Sequence, residues 1–339
     1  MVTLPIPEFH DPEKVGEIWR VNYQQRAADA QLWAAKYDIQ PSGIDPVRVN
    51  LLLVDVQNTF CIPGFELFVA GRSGNAAVED NQRLAAFVYH NLNRITGITL
   101  TMDTHQAIQI FHAIYLVDED GNHPDAYSLI STEDIQSGKW GFNPAAAETL
   151  LIEPDTAQRN LEHYVRALEA AGKYQLTVWP YHAMLGGIGH AIVPAIEEAV
   201  FFHSVARYSQ PDFQIKGMNP FTEHYSVIGP EVLEDARGER IAARNPAFVQ
   251  KLADCDLTLI AGQAKSHCVA YTVSDLLDDI LKVDAKLAAK VCLLEDCTSP
   301  VVVPGMDYTE PAEAAFQRFA EAGIKLIKST DPVESWYPG

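Results

Sequence analysis

The segment Ala261-Gly-Gln-Ala-Lys-Ser-His-Cys268-Val-Ala-Tyr-Thr-Val decides the fold prediction, because it joins an apolar run to an amphipathic helical pattern. Leu257 to Ala261 is typical of a buried strand, and apolar residues recur at helical spacing from Val269 to Ile280. Cys268 is therefore predicted in the first turn of that helix, where free backbone N–H groups and the helix dipole favour a thiolate. The same N–H groups can hold an oxyanion. The alternative is a small core residue, the usual state of a free cysteine.

Polar residues also stand at the ends of other apolar runs. Asp55 follows Leu51-Leu-Leu-Val, and Asp103 and His105 end Thr99-Leu-Thr-Met-Asp-Thr-His. A lysine, Lys216, stands in Phe213-Gln-Ile-Lys-Gly-Met-Asn-Pro220. The carboxyl ends of parallel strands converge on one crevice, so these side chains are predicted to share a site with Cys268. An ordinary ion pair at a strand end is the alternative for Asp55 and Lys216.

Short apolar runs alternate with helical patterns along the rest of the chain. Strands are predicted near 50–54, 97–102, 175–178, 257–261, 290–294 and 324–327. Helices are predicted over 78–95, 188–202, 269–281 and 310–322. This alternation predicts an α/β fold of three Rossmann-like layers, a doubly wound six-stranded parallel sheet with helices on both faces.

Three motifs, in this order, resemble those of the nicotinamidase and isochorismatase-like cysteine hydrolases. They are Asp-Val-Gln-Asn-Thr-Phe-Cys from Asp55, Lys-Gly from Lys216, and Ala-Lys-Ser-His-Cys-Val from Ala264. The resemblance covers roughly residues 48 to 330. It implies the isochorismatase-like fold, with Asp55, Lys216 and Cys268 as catalytic residues.

A fourth pattern resembles the metal site of the nicotinamidase branch. Asp103 and His105, followed by Trp179-Pro-Tyr-His182, match an aspartate and histidines that hold one divalent ion. Zinc, iron and manganese all suit such ligands. His112 is the nearest counterpart of a further histidine ligand, at a looser spacing. The alternative is a turn-capping aspartate with histidines that are hydrogen-bonded or at the surface.

The resemblance implies the remaining parts of the site as well. A cis Gln263–Ala264 bond would aim the N–H of Ala264 at an oxyanion, and Phe60, Trp179 and Tyr225 would line a flat pocket. The predicted reaction is cysteine-dependent hydrolysis of a primary carboxamide on a small planar, nicotinamide-like molecule, through a thioester, to acid and ammonia. Two alternatives stay open: a metal-free isochorismatase-like hydrolase and a non-catalytic binding scaffold.

Two segments are additional to that family pattern. An N-terminal extension, residues 1–45, has a helical pattern from Glu13 to Lys36 whose apolar stripe either wraps the domain or reaches a neighbouring subunit. Residues 46–335 form the predicted hydrolase domain, with an insertion at about 106–174. Long insertions beside a site are typical of lids or substrate-selecting loops. A homo-oligomer is expected.

Composition narrows the classes of partner. The 339 residues carry a net charge of -20, which argues against a nucleic acid or an anionic membrane as partner. No apolar run has the length of a membrane span, and the N-terminus lacks a signal-peptide pattern, so a cytoplasmic protein is expected. The five cysteines indicate no disulfide framework.

Overall fold

The computed structural model describes residues 3–172, 174–303 and 305–337. The helices in these ranges are α1 Tyr23–Lys36, α2 Asn58–Cys61, α3 Ala76–His90, α4 Thr132–Gln136, α5 Ala147–Leu150, α6 Pro154–Ala170, α7 Pro194–Arg207, α8 Pro246–Ala253, α9 Ala270–Val283 and α10 Thr309–Glu321. The strands are β1 Val49–Val54, β2 Gly97–Asp103, β3 Leu116–Val117, β4 Leu129–Ile130, β5 Gly141–Phe142, β6 Leu176–Thr177, β7 Asp212–Lys216, β8 Leu257–Gly262, β9 Val291–Leu294, β10 Val302–Val303, β11 Met306–Asp307 and β12 Lys325–Ile327.

The main sheet has six strands in the order β12-β9-β8-β1-β2-β7. The pairings of β1 with β2 and β8, of β8 with β9, and of β9 with β12 are parallel. Every residue of β1 and β8 is buried, which explains why both strands are largely apolar rather than alternating, with Asn50 and Thr258 as their polar exceptions. The predicted six-stranded α/β class is confirmed.

One predicted strand of this sheet is wrong. The run at 175–178 forms β6, which pairs antiparallel with β4 in a separate two-stranded sheet. The sixth strand is instead β7, at the edge of the sheet. Phe213 and Ile215 of β7 are 49% and 53% exposed, so this strand lacks the buried apolar run by which the other strands were recognised.

The helix predicted over 188–202 begins later than expected. Residues Ile188–His190 form a 3-10 turn, and α7 begins at Pro194. A proline fits the first helical position, where its missing N–H costs nothing and its fixed φ angle suits the helix.

The chain divides into two compact units. The first comprises the described parts of Met1–Met102, Ala191–Gln214 and Pro246–Gly339, and the second comprises those of Asp103–His190 and Ile215–Asn245. None of the helices within the described residues combines the length and the apolarity needed to cross a bilayer.

In the first unit the N-terminal extension packs on its own chain. Helix α1 begins at Tyr23, after the capping residue Asn22, so the helix predicted from Glu13 is wrong in its first half. It lies against α7, where Arg26 Nε donates to Glu198 Oε1 at 2.8 Å. The Arg26 guanidinium also lies 3.7 Å from the centre of the Phe9 ring. The extension therefore packs on its own unit, although Ile18, Tyr23 and Leu32 of the predicted apolar stripe are 40%, 45% and 71% exposed.

The second unit contains the short elements between β2 and α7. Strand β3 pairs antiparallel with β5, and β4 pairs antiparallel with β6. Helix α6 is amphipathic, and the side chains it buries include Leu161, Tyr164, Val165 and Leu168. Helix α6 begins with a proline, which suits this position because its missing N–H would have no helical partner there.

Candidate active site and metal centre

A buried cluster in the second unit surrounds Asp103, the last residue of β2. Asp103 Oδ2 lies 2.8 Å from His105 Nε2 and 3.7 Å from His182 Nε2. Its other oxygen, Oδ1, accepts a hydrogen bond from Lys216 Nζ at 2.9 Å. One ligand atom from each of Asp103, His105 and His182 lies within 4.8 Å of the others. The structure thus brings together the three residues that the sequence predicts as metal ligands.

Hydrogen bonds on the far side of both imidazoles determine which nitrogen faces Asp103. His105 Nδ1 lies 3.2 Å from the carbonyl oxygen of Gly217, and His182 Nδ1 lies 2.7 Å from that of Pro180. A carbonyl only accepts, so both Nδ1 atoms carry the proton and both Nε2 atoms face the carboxylate. A lone pair of His105 against a carboxylate oxygen is repulsive unless a proton or a metal cation lies between them. The residues therefore fit a divalent ion.

Electrostatics support the ionised state of Asp103 and the neutral state of His182. Burial alone would raise the pKa of Asp103, but the positive charge that His105 carries when both of its nitrogens are protonated, together with that of Lys216, outweighs burial and holds that pKa well below its usual range. Burial is the main cause that lowers the pKa of His182. A carboxylate and a neutral imidazole are the forms that bind metal.

His112 lies near this cluster but is not part of the close ligand group. Its ring centre is 6.0 Å from that of His105 and 6.1 Å from that of His182. Its Nδ1 lies 3.1 Å from the carbonyl oxygen of Ala107, while its buried Nε2 has no hydrogen-bond partner among the described residues. Burial, and then the neighbouring histidines, lower the pKa of His112 to about 3. A ligand role for His112 stays a prediction.

Gly217, which follows Lys216 at the end of β7, allows the cluster to pack closely. Its φ angle is +89°, and a Cβ atom there would lie 2.8 Å from both Asp103 Oδ1 and His105 Cε1. Its N–H donates to His224 Nδ1 at 3.2 Å, and Lys216 Nζ donates to the His224 carbonyl at 3.0 Å. Only glycine provides this conformation without a side chain in the cluster.

In the first unit, Asp55 stands directly after β1 and is completely buried. Its N–H donates to Thr101 Oγ1 at 3.0 Å, and the Thr101 hydroxyl donates back to Asp55 Oδ1. Val54 pairs with Gly262 in the register of β1 and β8, and the N–H of Gln263 donates to the Val54 carbonyl at 2.8 Å. Asp55 and Gln263 therefore stand at neighbouring strand ends.

The peptide bond between Gln263 and Ala264 is cis, as the resemblance implies. Cys268 lies beyond it and is 7% exposed. It belongs to a π-helical turn, Lys265–Val269, that leads into α9, whereas the sequence predicts the first turn of an α-helix. The difference arises because the N–H of Val269 reaches back to the Ala264 carbonyl, at 3.2 Å. Such π turns are frequent at functional sites.

Three other cysteines are buried within the first unit. Cys61, Cys292 and Cys297 are at most 1% exposed, and burial is the main cause that raises the pKa of each thiol. A thiol with a raised pKa is a poor nucleophile at neutral pH. Cys61 and Cys292 are packing residues.

The predicted pocket residues fall into both units. Phe60 is 8% exposed and lies in α2, in the first unit. Trp179 and Tyr225 come together in the second unit, where Trp179 Nε1 donates to the Tyr225 hydroxyl at 2.9 Å. Both contact Glu223, a buried carboxylate that the sequence analysis missed. Burial is the main cause that raises the pKa of Glu223 to about 7. No motif or periodicity in the sequence marks Glu223.

Solved structures that are similar to this chain include nicotinamidases and a pyrazinamidase. The yeast nicotinamidase Pnc1p bound to the inhibitor nicotinaldehyde gives a TM-score of 0.50 at 18% identity, over 83% of this chain and 99% of that chain. A nicotinamidase/pyrazinamidase of Acinetobacter baumanii gives a TM-score of 0.49 at 20% identity, over 85% and 99%. The zinc complex of a Pyrococcus horikoshii pyrazinamidase gives 0.44 at 16% identity, over 83% and 99%.

No protein-family model and no curated protein matches the sequence. At 18% identity, the likeness to the yeast structure shows a shared fold.

Proposed function

We propose that this chain is a cysteine-dependent amidohydrolase that cleaves a primary carboxamide of a small planar molecule to acid and ammonia. The observation that carries the proposal is the buried Asp103–His105–His182 cluster, joined to Lys216, in a chain whose fold is shared with a nicotinamidase. The yeast structure holds nicotinaldehyde, a planar heteroaromatic inhibitor, so nicotinamide is the first substrate to test.

Asp55, Lys216 and Cys268 are the proposed catalytic residues. The Asp55 carboxylate takes the thiol proton of Cys268, and the positive charge of Lys216 stabilises the negative charges. The thiolate adds to the amide carbonyl, and the backbone N–H groups of Ala264 and Cys268 receive the oxyanion. The C–N bond then breaks, and Asp55 returns the proton to the departing ammonia. Water hydrolyses the thioester, which releases the acid and restores the thiol.

Asp103, His105 and His182 are the residues that would hold a divalent ion, either zinc, iron or manganese. Such an ion, when bound, supplies a Lewis acid that orients the substrate. The chain itself provides the negative charge of Asp103 and two imidazoles whose Nδ1 hydrogen bonds fix their orientation.

Replacement of the nucleophile tests the reaction. Cys268→Ser should reduce ammonia release from nicotinamide below about one per cent of the wild-type rate, because a neutral hydroxyl is a far weaker nucleophile than a thiolate. Cys255→Ser is the matched control, since Cys255 is a partly exposed thiol outside the proposed machinery, and it should keep full activity. Ammonia release and metal content would be measured on the same preparations.

Two outcomes would overturn the proposal. The first is substantial turnover by Cys268→Ser, which would exclude covalent catalysis by this residue. The second is the absence of ammonia release by the wild type from a panel of aromatic, heteroaromatic and aliphatic primary amides. Full activity of a metal-free preparation would instead favour a metal-free isochorismatase-like hydrolase.

A further inference from the structure

A cavity of the first unit lies at the amino-terminal ends of β1 and β2, away from the proposed catalytic residues of that unit. Its volume is about 850 Å³, and its wall includes Asn50 of β1 together with Gly97 and Thr99 of β2. Asn50 pairs with Gly97 in the register of the two strands. Asp55 follows the carboxyl end of β1, which at about 3.3 Å per residue places it roughly 16 Å from Asn50. The cavity is therefore separate from the site of the proposed reaction.

Asn50 contributes a buried hydrogen-bond donor to this wall. The residue is 6% exposed, and its Oδ1 accepts from the Thr99 hydroxyl at 3.1 Å. Its Nδ2 has no hydrogen-bond partner within the part of the chain that the structure describes. A buried donor without a partner is costly, and in native proteins such a group is satisfied by a bound water, ion or ligand. The partner that suits an amide N–H is an oxygen that accepts.

Arg48 contributes an unpaired positive charge to the same wall. Its main chain is fixed by Asp256, because the Arg48 N–H donates to Asp256 Oδ2 at 2.8 Å and the Arg48 carbonyl accepts the Asp256 N–H at 2.9 Å. Its guanidinium forms no ion pair or hydrogen bond with any of the described residues. Arg48 immediately precedes β1 and is two residues from Asn50, so the two side chains point to the same face of the extended chain.

The other charged groups of the wall limit the charge of a ligand. Lys251 Nζ donates to Asp212 Oδ2 at 2.6 Å, and Gln250 Nε2 donates to Asp254 Oδ1 at 2.7 Å. Arg48 is therefore the one charged side chain of this wall that has no partner among the described residues. A single negative charge is matched by Arg48, whereas the double charge of a phosphate would also be repelled by the two aspartates. A planar guanidinium with paired donors suits the two oxygens of a carboxylate.

We propose that this cavity is a second ligand site, which binds a small monocarboxylate through the Arg48 guanidinium and the Asn50 amide. The guanidinium supplies the opposite charge and paired hydrogen bonds, and Asn50 Nδ2 supplies a further donor to a carboxylate oxygen. The site goes beyond the proposed hydrolysis, because it uses none of the catalytic or metal-ligand residues.

Calorimetric titration with sodium benzoate tests the site, with benzyl alcohol as the uncharged analogue. Wild type should bind benzoate but not benzyl alcohol. Arg48→Ala should weaken benzoate binding at least about tenfold, because it removes charge-assisted hydrogen bonds, and Asn50→Ala should weaken it about fivefold. Arg318→Ala is the matched control. It removes the same charge from an exposed arginine of α10 outside the cavity wall, and the dissociation constant should stay within about twofold of wild type.

The inference fails if wild type binds no benzoate at millimolar concentration, in which case the cavity holds water only. It also fails if Arg48→Ala binds as tightly as wild type, or if Arg318→Ala weakens binding as much as Arg48→Ala, which would indicate a general effect of net charge. His182→Ala should keep its benzoate binding; loss of binding there, but not in Arg48→Ala, would place the acid at the candidate metal centre instead.

A thermal melt of each variant checks that the fold is retained. Arg48→Ala, at an exposed side chain, decides the inference if Asn50→Ala does not fold. Binding is measured without turnover, so the result stands whether or not the protein releases ammonia from an amide.

Discussion

At the scale of single residues, Gly217 has a conformation that controls how closely Lys216 and the metal-ligand residues can pack. Its φ angle of +89° and the 2.8 Å approach of a hypothetical Cβ to Asp103 Oδ1 leave no room for a side chain. Backbone at such an angle costs a non-glycine residue about 1–2 kcal/mol, and the steric contact adds to this cost. Gly217 is therefore required for the close packing of the metal-ligand residues as well as for the conformation of the turn.

We expect Gly217→Ala to lose metal. The new methyl group should displace the Asp103 carboxylate or the His105 ring, so that zinc or manganese per chain, measured by elemental analysis after loading, falls at least about fivefold. Gly121→Ala is the control, because Gly121 has a similar φ angle of +82° and nothing within 4 Å of the added Cβ. Equal metal content in the two variants would show that the close approach at Gly217 is unimportant.

Residues differ in how well the sequence predicts them. Asp103, His105 and His182 were predicted because a strand end and a short motif place their residue types in a known pattern, and the structure brings them together. Glu223 was missed, because a glutamate gives no sign in the sequence that it will be buried. Its partner Tyr164 is 59 residues away, so this contact depends on how the insertion folds.

At the scale of elements, the central strands of the main sheet are predicted from the sequence, whereas the edge strand β7 is not. The central strands β1, β8 and β9 were predicted because each is a continuous apolar run. The edge strand β7 was missed, because its first four residues are exposed or only partly buried. The π turn before α9 was also missed, because one widened turn leaves the apolar spacing of the helix unchanged.

We expect the contact between α1 and α7 to contribute measurably to stability. Arg26 joins Glu198 on α7 and stacks on Phe9, and its side chain is 17% exposed. Arg26→Ala should lower the free energy of unfolding, measured in urea, by about 2 kcal/mol, since it removes both contacts and leaves Glu198 partly buried without its partner. Arg20→Ala, at an exposed arginine without an ion pair among the described residues, should change it by less than about 0.5 kcal/mol. Equal effects would show that α1 is only loosely attached.

At the scale of the whole molecule, the residues of the proposed reaction are distributed between the two compact units. Cys268 and Asp55 belong to the first unit, whereas Lys216 and the residues Asp103, His105 and His182 belong to the second. The sequence could not predict this division, because residues of both units alternate along the chain. Lys216, which donates to Asp103, is the one proposed catalytic residue in contact with the candidate metal centre, so replacing a histidine ligand instead should separate metal binding from thiolate formation.

We expect His182→Ala to separate them. Loss of this imidazole should lower metal content and raise KM for the amide strongly, because the ion no longer orients the substrate. The rate at which iodoacetamide alkylates Cys268, followed by mass spectrometry, should stay within about twofold of the wild-type rate, because thiolate reactivity follows the thiol pKa and access. His123→Ala, at an exposed histidine of the second unit, is the control and should change none of the three quantities.

A His182→Ala protein that keeps its metal would remove His182 from the ligand set. One that loses Cys268 alkylation together with the metal would show that the ion also maintains the nucleophile, and the proposed division of roles would then be wrong.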